Sequence, residues 1–138
     1  MTTVVFACVH NAGRSQIAAA LFNRYADPAK ARAVSAGTRP AAQVHPEVVG
    51  VMRSRHIDLS HARPQQLTED LAAGAGWLIT MGCGDECPVV PGVRRDDWPL
   101  PDPKGQSTEA VAAIADEIDR RVRAFIAAQG WQQAATRA

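Results

Sequence analysis

The sequence predicts a single α/β domain with a mostly parallel sheet, and three observations carry the prediction. Short apolar runs rich in β-branched residues, at 3–8, 33–37 and 76–81, alternate with stretches of helical periodicity. Each run leads into a loop marked by glycine or asparagine. The length, 138 residues, suits one domain at roughly 100–200 residues per domain.

The elements follow in order. Val4, Val5, Phe6 and Ala7 form a buried strand that ends at Cys8 and enters a loop marked by Asn11, Ala12 and Gly13. Ile17, Ala18, Ala20, Leu21 and Tyr25 then recur at helical spacing, with Ser15 placed to cap the first turn and Asp27-Pro28 to end it. Residues 33–37 make a second strand, closed by Gly37 and Pro40, and Pro46 opens a helix carrying Val48, Val49, Val51 and Met52. Ile57 and Leu59 make a weak third segment, 68–71 a helical turn, and 76–81 another buried strand. From Pro88 to Pro103 the chain is too interrupted by proline for regular structure, apart from a short strand near Val93. The last helix is the plainest element. Val111, Ile114, Ala115, Ile118, Val122, Phe125 and Ile126 share one stripe, and Asp116–Arg120, Glu117–Arg121 and Asp119–Arg123 stand as acid-before-base pairs on the other side. Residues 1–138 are thus one domain, with a frayed, polar tail expected from about 129.

Composition narrows the function. Hydrophobic residues make up 46% and charged residues 21%, which suits a soluble globular chain. Fifteen basic against fourteen acidic residues give a net charge of +1, so no broad basic field invites nucleic acid. The longest charge-free stretch, 71–84, is shorter than a membrane span, and Met1-Thr2-Thr3 lacks the basic start of a signal peptide. The expectation is a cytoplasmic protein with neither a nucleic-acid nor a membrane partner. Three cysteines, Cys8, Cys83 and Cys87, make no disulfide framework, and in a reducing compartment they are catalytic, metal-binding or simply buried.

Cys8 is followed by Val9, His10, Asn11, Ala12, Gly13, Arg14 and Ser15, between a predicted strand and a predicted helix. A loop that short curls so that successive N–H groups point inward and form a nest for a tetrahedral oxyanion at a helix N-terminus. Arg14 can fork two donors onto the same anion, and small Ala12 and Gly13 let the backbone approach it. A cysteine at the floor of that positive field is held as the nucleophilic thiolate. His10 is not needed as its base. Cys83 and Cys87 follow the strand at 76–81, so their loop opens on the same sheet edge as Cys8. Gly82 and Gly84 suit a thiol that moves between two partners; zinc bound by Cys83 and Cys87 lacks the usual second close pair. Asp102, held between two prolines, is either a general acid or an ordinary turn aspartate.

These residues together resemble the low-molecular-weight protein tyrosine phosphatase superfamily, and within it the thiol-dependent arsenate reductases. The likeness runs from Val4 to about Ala127, through Cys8 to Ser15, Ser35-Ala-Gly-Thr38, Thr80-Met-Gly-Cys83 with Cys87-Pro88, and Trp98 to Pro103. The resemblance implies a four-stranded parallel sheet flanked by helices. It implies Cys8 as nucleophile, Arg14 and the loop amides as oxyanion binders, Asn11 as a brace for the loop, Ser15 as the thiolate's stabiliser and Asp102 as acid. It further implies a relay in which Cys8 attacks arsenate, Cys83 attacks Cys8 and releases arsenite, and Cys87 attacks Cys83, leaving a disulfide for thioredoxin. No bound cofactor or metal enters, and the enzyme is expected to be a monomer. A related branch uses mycothiol with mycoredoxin, and glutaredoxin is a further candidate reductant. The alternative activity is hydrolysis of phosphotyrosine or another phosphomonoester. Phosphatases of this family usually carry a second cysteine where this chain has Gly13, and aromatic residues beside the acid where Lys104 and Gly105 stand here. Two departures from the reductases matter: Cys83 and Cys87 are closer together than in the best-known thioredoxin-linked members, and Ala19 replaces the Glu of the family's potassium site, so that ion is not carried over.

Overall fold

The computed structural model describes residues 1–82, 87 and 89–133. Strand β1 (Thr2–Cys8) leads to α1 (Arg14–Tyr25), then β2 (Ala31–Gly37), α2 (Pro46–Ser54), α3 (Glu69–Ala73), β3 (Trp77–Thr80), β4 (Arg94–Asp97) and α4 (Thr108–Gln129). The four strands form one parallel sheet in the order β2-β1-β3-β4, the α/β architecture expected.

The composition of β1 explains its central place. Val4, Phe6 and Cys8 belong to the core shared with α1, α2 and α4, whereas Val5 and Ala7 belong to a second core beneath α3. Val4 to Ala7 are fully buried, and a strand covered on both faces needs no polar alternation. Because β1 pairs with β2 on one side and β3 on the other, the winding reverses there. The crevice beyond the carboxyl end of such a strand is where open α/β sheets bind ligands, and Cys8 is the last residue of β1.

Three expectations are corrected. Ile57 and Leu59 form no strand. Helix α2 ends in a left-handed turn at His56 (φ 65°), where the His56 N–H donates to Arg53 O and the Ile57 N–H to Met52 O, each at 3.0 Å, so this segment only closes the helix. Asp116 pairs with Arg55 at 2.7 Å instead of Arg120, tying α4 to the end of α2, while Arg120 turns to Glu117; the Glu117–Arg121 and Asp119–Arg123 pairs form at 3.4 and 2.7 Å. The tail is docked as far as residue 133. Gly130 (φ 74°) reverses the chain, the Trp131 N–H donates to Ile126 O, and the indole meets the rings of Phe22 and Phe125 at centroid distances of 6.0 and 5.6 Å. The Trp131 carbonyl accepts from Asp27 N–H at 2.8 Å and Gln132 bridges to Ala26. The short strand near Val93 is β4, whose four charged residues are all exposed at the sheet edge, a composition that blunts edge-to-edge pairing.

Candidate active site

Between β1 and α1 the backbone curls, and every carbonyl from Cys8 to Gly13 is taken by a donor. Cys8 O accepts from Thr38 N–H (3.3 Å), Val9 O from Arg39 N–H (2.8 Å), His10 O from Ala41 N–H (2.9 Å), Ala12 O from His45 N–H (2.9 Å) and Gly13 O from Ile17 N–H (3.0 Å). Asn11 O accepts from Gln16 Nε2 at 3.1 Å. In a trans peptide the N–H points opposite the C=O, so the amides of residues 9–14 point away from those donors. The segment after β2 thus fastens the outer side of the curl. Glycine is required where β2 meets it: a Cβ on Gly37 would lie 2.6 Å from Val9 O and 2.9 Å from Asn11 N.

Cys8, 2% exposed, is a free thiol whose Sγ lies 2.9 Å from Ser15 Oγ. Asn11 Nδ2 donates to the same Ser15 Oγ at 2.7 Å. With that oxygen accepting from Asn11, the Ser15 hydroxyl proton can point at the sulfur, and toward a Cys8 thiolate, which can only accept, donation runs from Asn11 through Ser15 to Cys8. Ser15 is therefore no helix cap: α1 begins at Arg14, and the cap position, Gly13, makes no side-chain cap bond. Asn11 is fully buried at φ 50°, a left-handed conformation asparagine tolerates. Its Oδ1 accepts from Gln65 N–H (2.9 Å) and Gln16 Nε2 (3.2 Å), which fixes the amide's orientation.

Arg14 is buried, and its Nη1 donates to Leu100 O at 2.9 Å. One donor of the expected fork is thus committed to the segment that carries Asp102. That segment touches the cradle through Pro103: a Cβ on Gly13 would lie 2.5 Å from Pro103 Cγ. Asp102 is exposed, and its Oδ1 accepts from Lys104 N–H at 2.9 Å, an Asx turn that orients it. Cys87 is 3% exposed, disulfide-bonded, and part of the second core, against which Val9 of the loop packs. Cys83 lies outside the described residues. Val9, His10, Ala12 and Gly13 enter the site through their backbone. Among the described residues no cluster of three or more His, Cys, Asp or Glu could hold a metal ion.

Sequence reasoning passed over Gln16, Gln65 and Leu100, which hold Asn11 and Arg14. Gln16 adjoins the motif and its amide could have been suspected. Gln65 and Leu100 act through backbone groups brought there by the fold, for which no sequence signal exists.

Comparison with known proteins adds the following. The family model described as low molecular weight phosphotyrosine protein phosphatase matches residues 3–135. The structure of a thioredoxin-dependent arsenate reductase from Corynebacterium glutamicum superposes with a TM-score of 0.80 at 41% identity, taking in 93% of this chain and 61% of that one. Arsenate reductase 1 of Bacillus cereus is 32% identical over 127 residues, 89% of this chain and 92% of its own. A glutaredoxin arsenate reductase of Synechocystis sp. is 31% identical over 130 residues, 92% and 98% respectively.

Proposed function

Because the chain belongs to the low molecular weight phosphotyrosine protein phosphatase family, we propose that it turns that family's cysteine cradle to the reduction of arsenate to arsenite. The loop amides and Arg14 hold the oxyanion, and the Cys8 thiolate, supported by Ser15, attacks arsenic(V). An arsenate oxygen leaves as water, protonated by Asp102, and no electrons have yet moved. Cys83 then attacks Cys8 Sγ; the sulfur–arsenic electron pair stays with arsenic, which departs as arsenite and leaves a Cys8–Cys83 disulfide. Cys87 attacks Cys83 and frees Cys8 for the next cycle. An external dithiol reduces the last disulfide, so the reaction needs no resident cofactor. Thioredoxin is the favoured donor, with glutaredoxin, or mycothiol with mycoredoxin, as the alternatives. The enzyme is read as a cytoplasmic monomer.

The observation that supports this reading over phosphomonoester hydrolysis is the 41% identity, over 93% of this chain, to a thioredoxin-dependent arsenate reductase, in a chain that carries Cys83 and Cys87 besides Cys8. Hydrolysis through a cysteine needs one thiol only, whereas a relay needs a place to store the oxidation. The decisive assay is NADPH oxidation by thioredoxin reductase and thioredoxin with the purified protein, with and without arsenate. Arsenate-dependent consumption that Cys83→Ser abolishes is the expected result. Rapid cleavage of phosphomonoesters without any arsenate-dependent thiol consumption by any of the three reductant systems would assign the chain to the hydrolases instead.

A further inference from the structure

Gly82 is the residue just before Cys83, and its place beside Arg14 links the oxyanion cradle to the cysteine loop. It has φ +94°, a region that side-chain-bearing residues rarely adopt, and a Cβ there would lie 2.5 Å from Arg14 Nη1, 3.5 Å from Arg14 Cζ and 3.9 Å from Leu100 O. The same Nη1 donates to Leu100 O at 2.9 Å. The end of the guanidinium is therefore packed against residue 82 while the neighbouring carbonyl of residue 100 holds it there. Arg14 is 8% exposed, so its guanidinium is set by these neighbours more than by solvent.

We propose that Gly82 is a positioning residue for oxyanion recognition: its missing side chain makes the slot in which Leu100 O aims the Arg14 guanidinium. The inference rests on the cradle binding an oxyanion, and holds whether arsenate or a phosphomonoester is the substrate. A Cβ at 82 must displace the planar end of Arg14 by several tenths of an ångström at least, since ordinary contact begins at about 3.4 Å. A fork that binds two anion oxygens at once tolerates such a tilt poorly, because both donors are fixed to one plane. The effect belongs to anion affinity and not to the nucleophile, whose neighbours, Ser15 and Asn11, lie elsewhere.

The test is inorganic phosphate binding to the reduced protein by calorimetry, for the unchanged chain, Gly82→Ala, Arg14→Lys and the double variant. Gly82→Ala is expected to weaken phosphate about tenfold or more, close to the loss from Arg14→Lys, and the double variant to bind within about threefold of the weaker single one, because both changes act on the same guanidinium. Binding by Gly82→Ala within twofold of the unchanged protein overturns the proposal, as does a double variant whose loss is the product of the two. If Arg14→Lys itself leaves phosphate binding unchanged, it is the cradle reading that fails. Thermal melting gives a second measure should Gly82→Ala fold poorly. Emptying the slot with Arg14→Ala should raise the melting temperature of the Gly82→Ala protein; no gain in the Arg14→Ala/Gly82→Ala pair refutes steric coupling between the two residues.

Discussion

Replacing Asn11 by aspartate changes one group and reverses the direction of one hydrogen bond. Oδ1 can still accept from Gln65 N–H, now at 2.9 Å, and aspartate shares asparagine's tolerance of the left-handed φ of 50°, so the loop should keep its path. The atom facing Ser15 Oγ at 2.7 Å changes from a donor to an acceptor. The Ser15 hydroxyl must then donate to the new carboxylate, and Cys8 Sγ, 2.9 Å away on the other side, loses its donor. At about 5 Å and an effective dielectric of about 20, the carboxylate also repels the thiolate by about 3 kcal/mol. That corresponds to a fall in kcat/KM of roughly 100-fold. The assay is arsenate-dependent NADPH oxidation near pH 8, with a thermal melt to confirm folding. As pH falls, the buried carboxyl takes up a proton and can again donate to Ser15, so the deficit relative to the unchanged enzyme should shrink. A variant within threefold of the unchanged enzyme, or a deficit that does not ease toward lower pH, would refute the Asn11–Ser15–Cys8 chain. Asn11→Ala should behave differently, since it orphans the Gln65 N–H and lowers stability by about 1–3 kcal/mol whatever the pH.

Cys87→Ser should give a burst of about one arsenite per enzyme and then stop, with mass spectrometry finding Cys8 joined to Cys83; sustained turnover with thioredoxin would remove Cys87 from the relay. Trp131→Ala should lower stability by about 2 kcal/mol in a urea melt, because it strips a half-buried ring from Phe22 and Phe125; an unchanged midpoint would mean that the tail does not hold α1 to α4. The single tyrosine, Tyr25, should ionise above its ordinary value of 10.0, because burial and its hydrogen bond to Asp119 outweigh the opposing pull of Arg123. The fold thus favours the neutral phenol, and that contribution to stability is full below about pH 10 and is lost as pH rises through the higher folded value. Phenolate absorbance with a midpoint at or below 10 in the folded protein would contradict this.

What the sequence disclosed and what it hid follow from distance along the chain. The buried β1, the loop from Cys8 to Arg14 and the striped α4 were legible because periodicity and spacing are local. Ser15 is legible in the sequence as a partner of the sulfur but reads there as a cap too, since a helix start and an anion nest use the same residue types. Strand β4 was placed only loosely, because Arg94, Arg95, Asp96 and Asp97 carry no apolar alternation and owe their conformation to pairing with β3. Trp131 was lost to the assumption that small polar ends fray, although Gly130 before an aromatic residue is itself a signal for a helix that closes and folds back. The hold of Leu100 on Arg14 spans 86 positions and leaves no local trace.

The way the cradle is fastened has an evolutionary consequence. The chain from Thr38 to His45 supports the loop through the N–H groups of Thr38, Arg39, Ala41 and His45, groups that nearly every residue type supplies. Proline is the one residue those four positions cannot accept, and the prolines nearby, Pro40 and Pro46, stand between and after them, where the loop asks for no donor. The support these four amides give is thus indifferent to side-chain chemistry, proline apart. A substitution other than proline can therefore change a side chain at any of them without withdrawing the amide that fastens the loop.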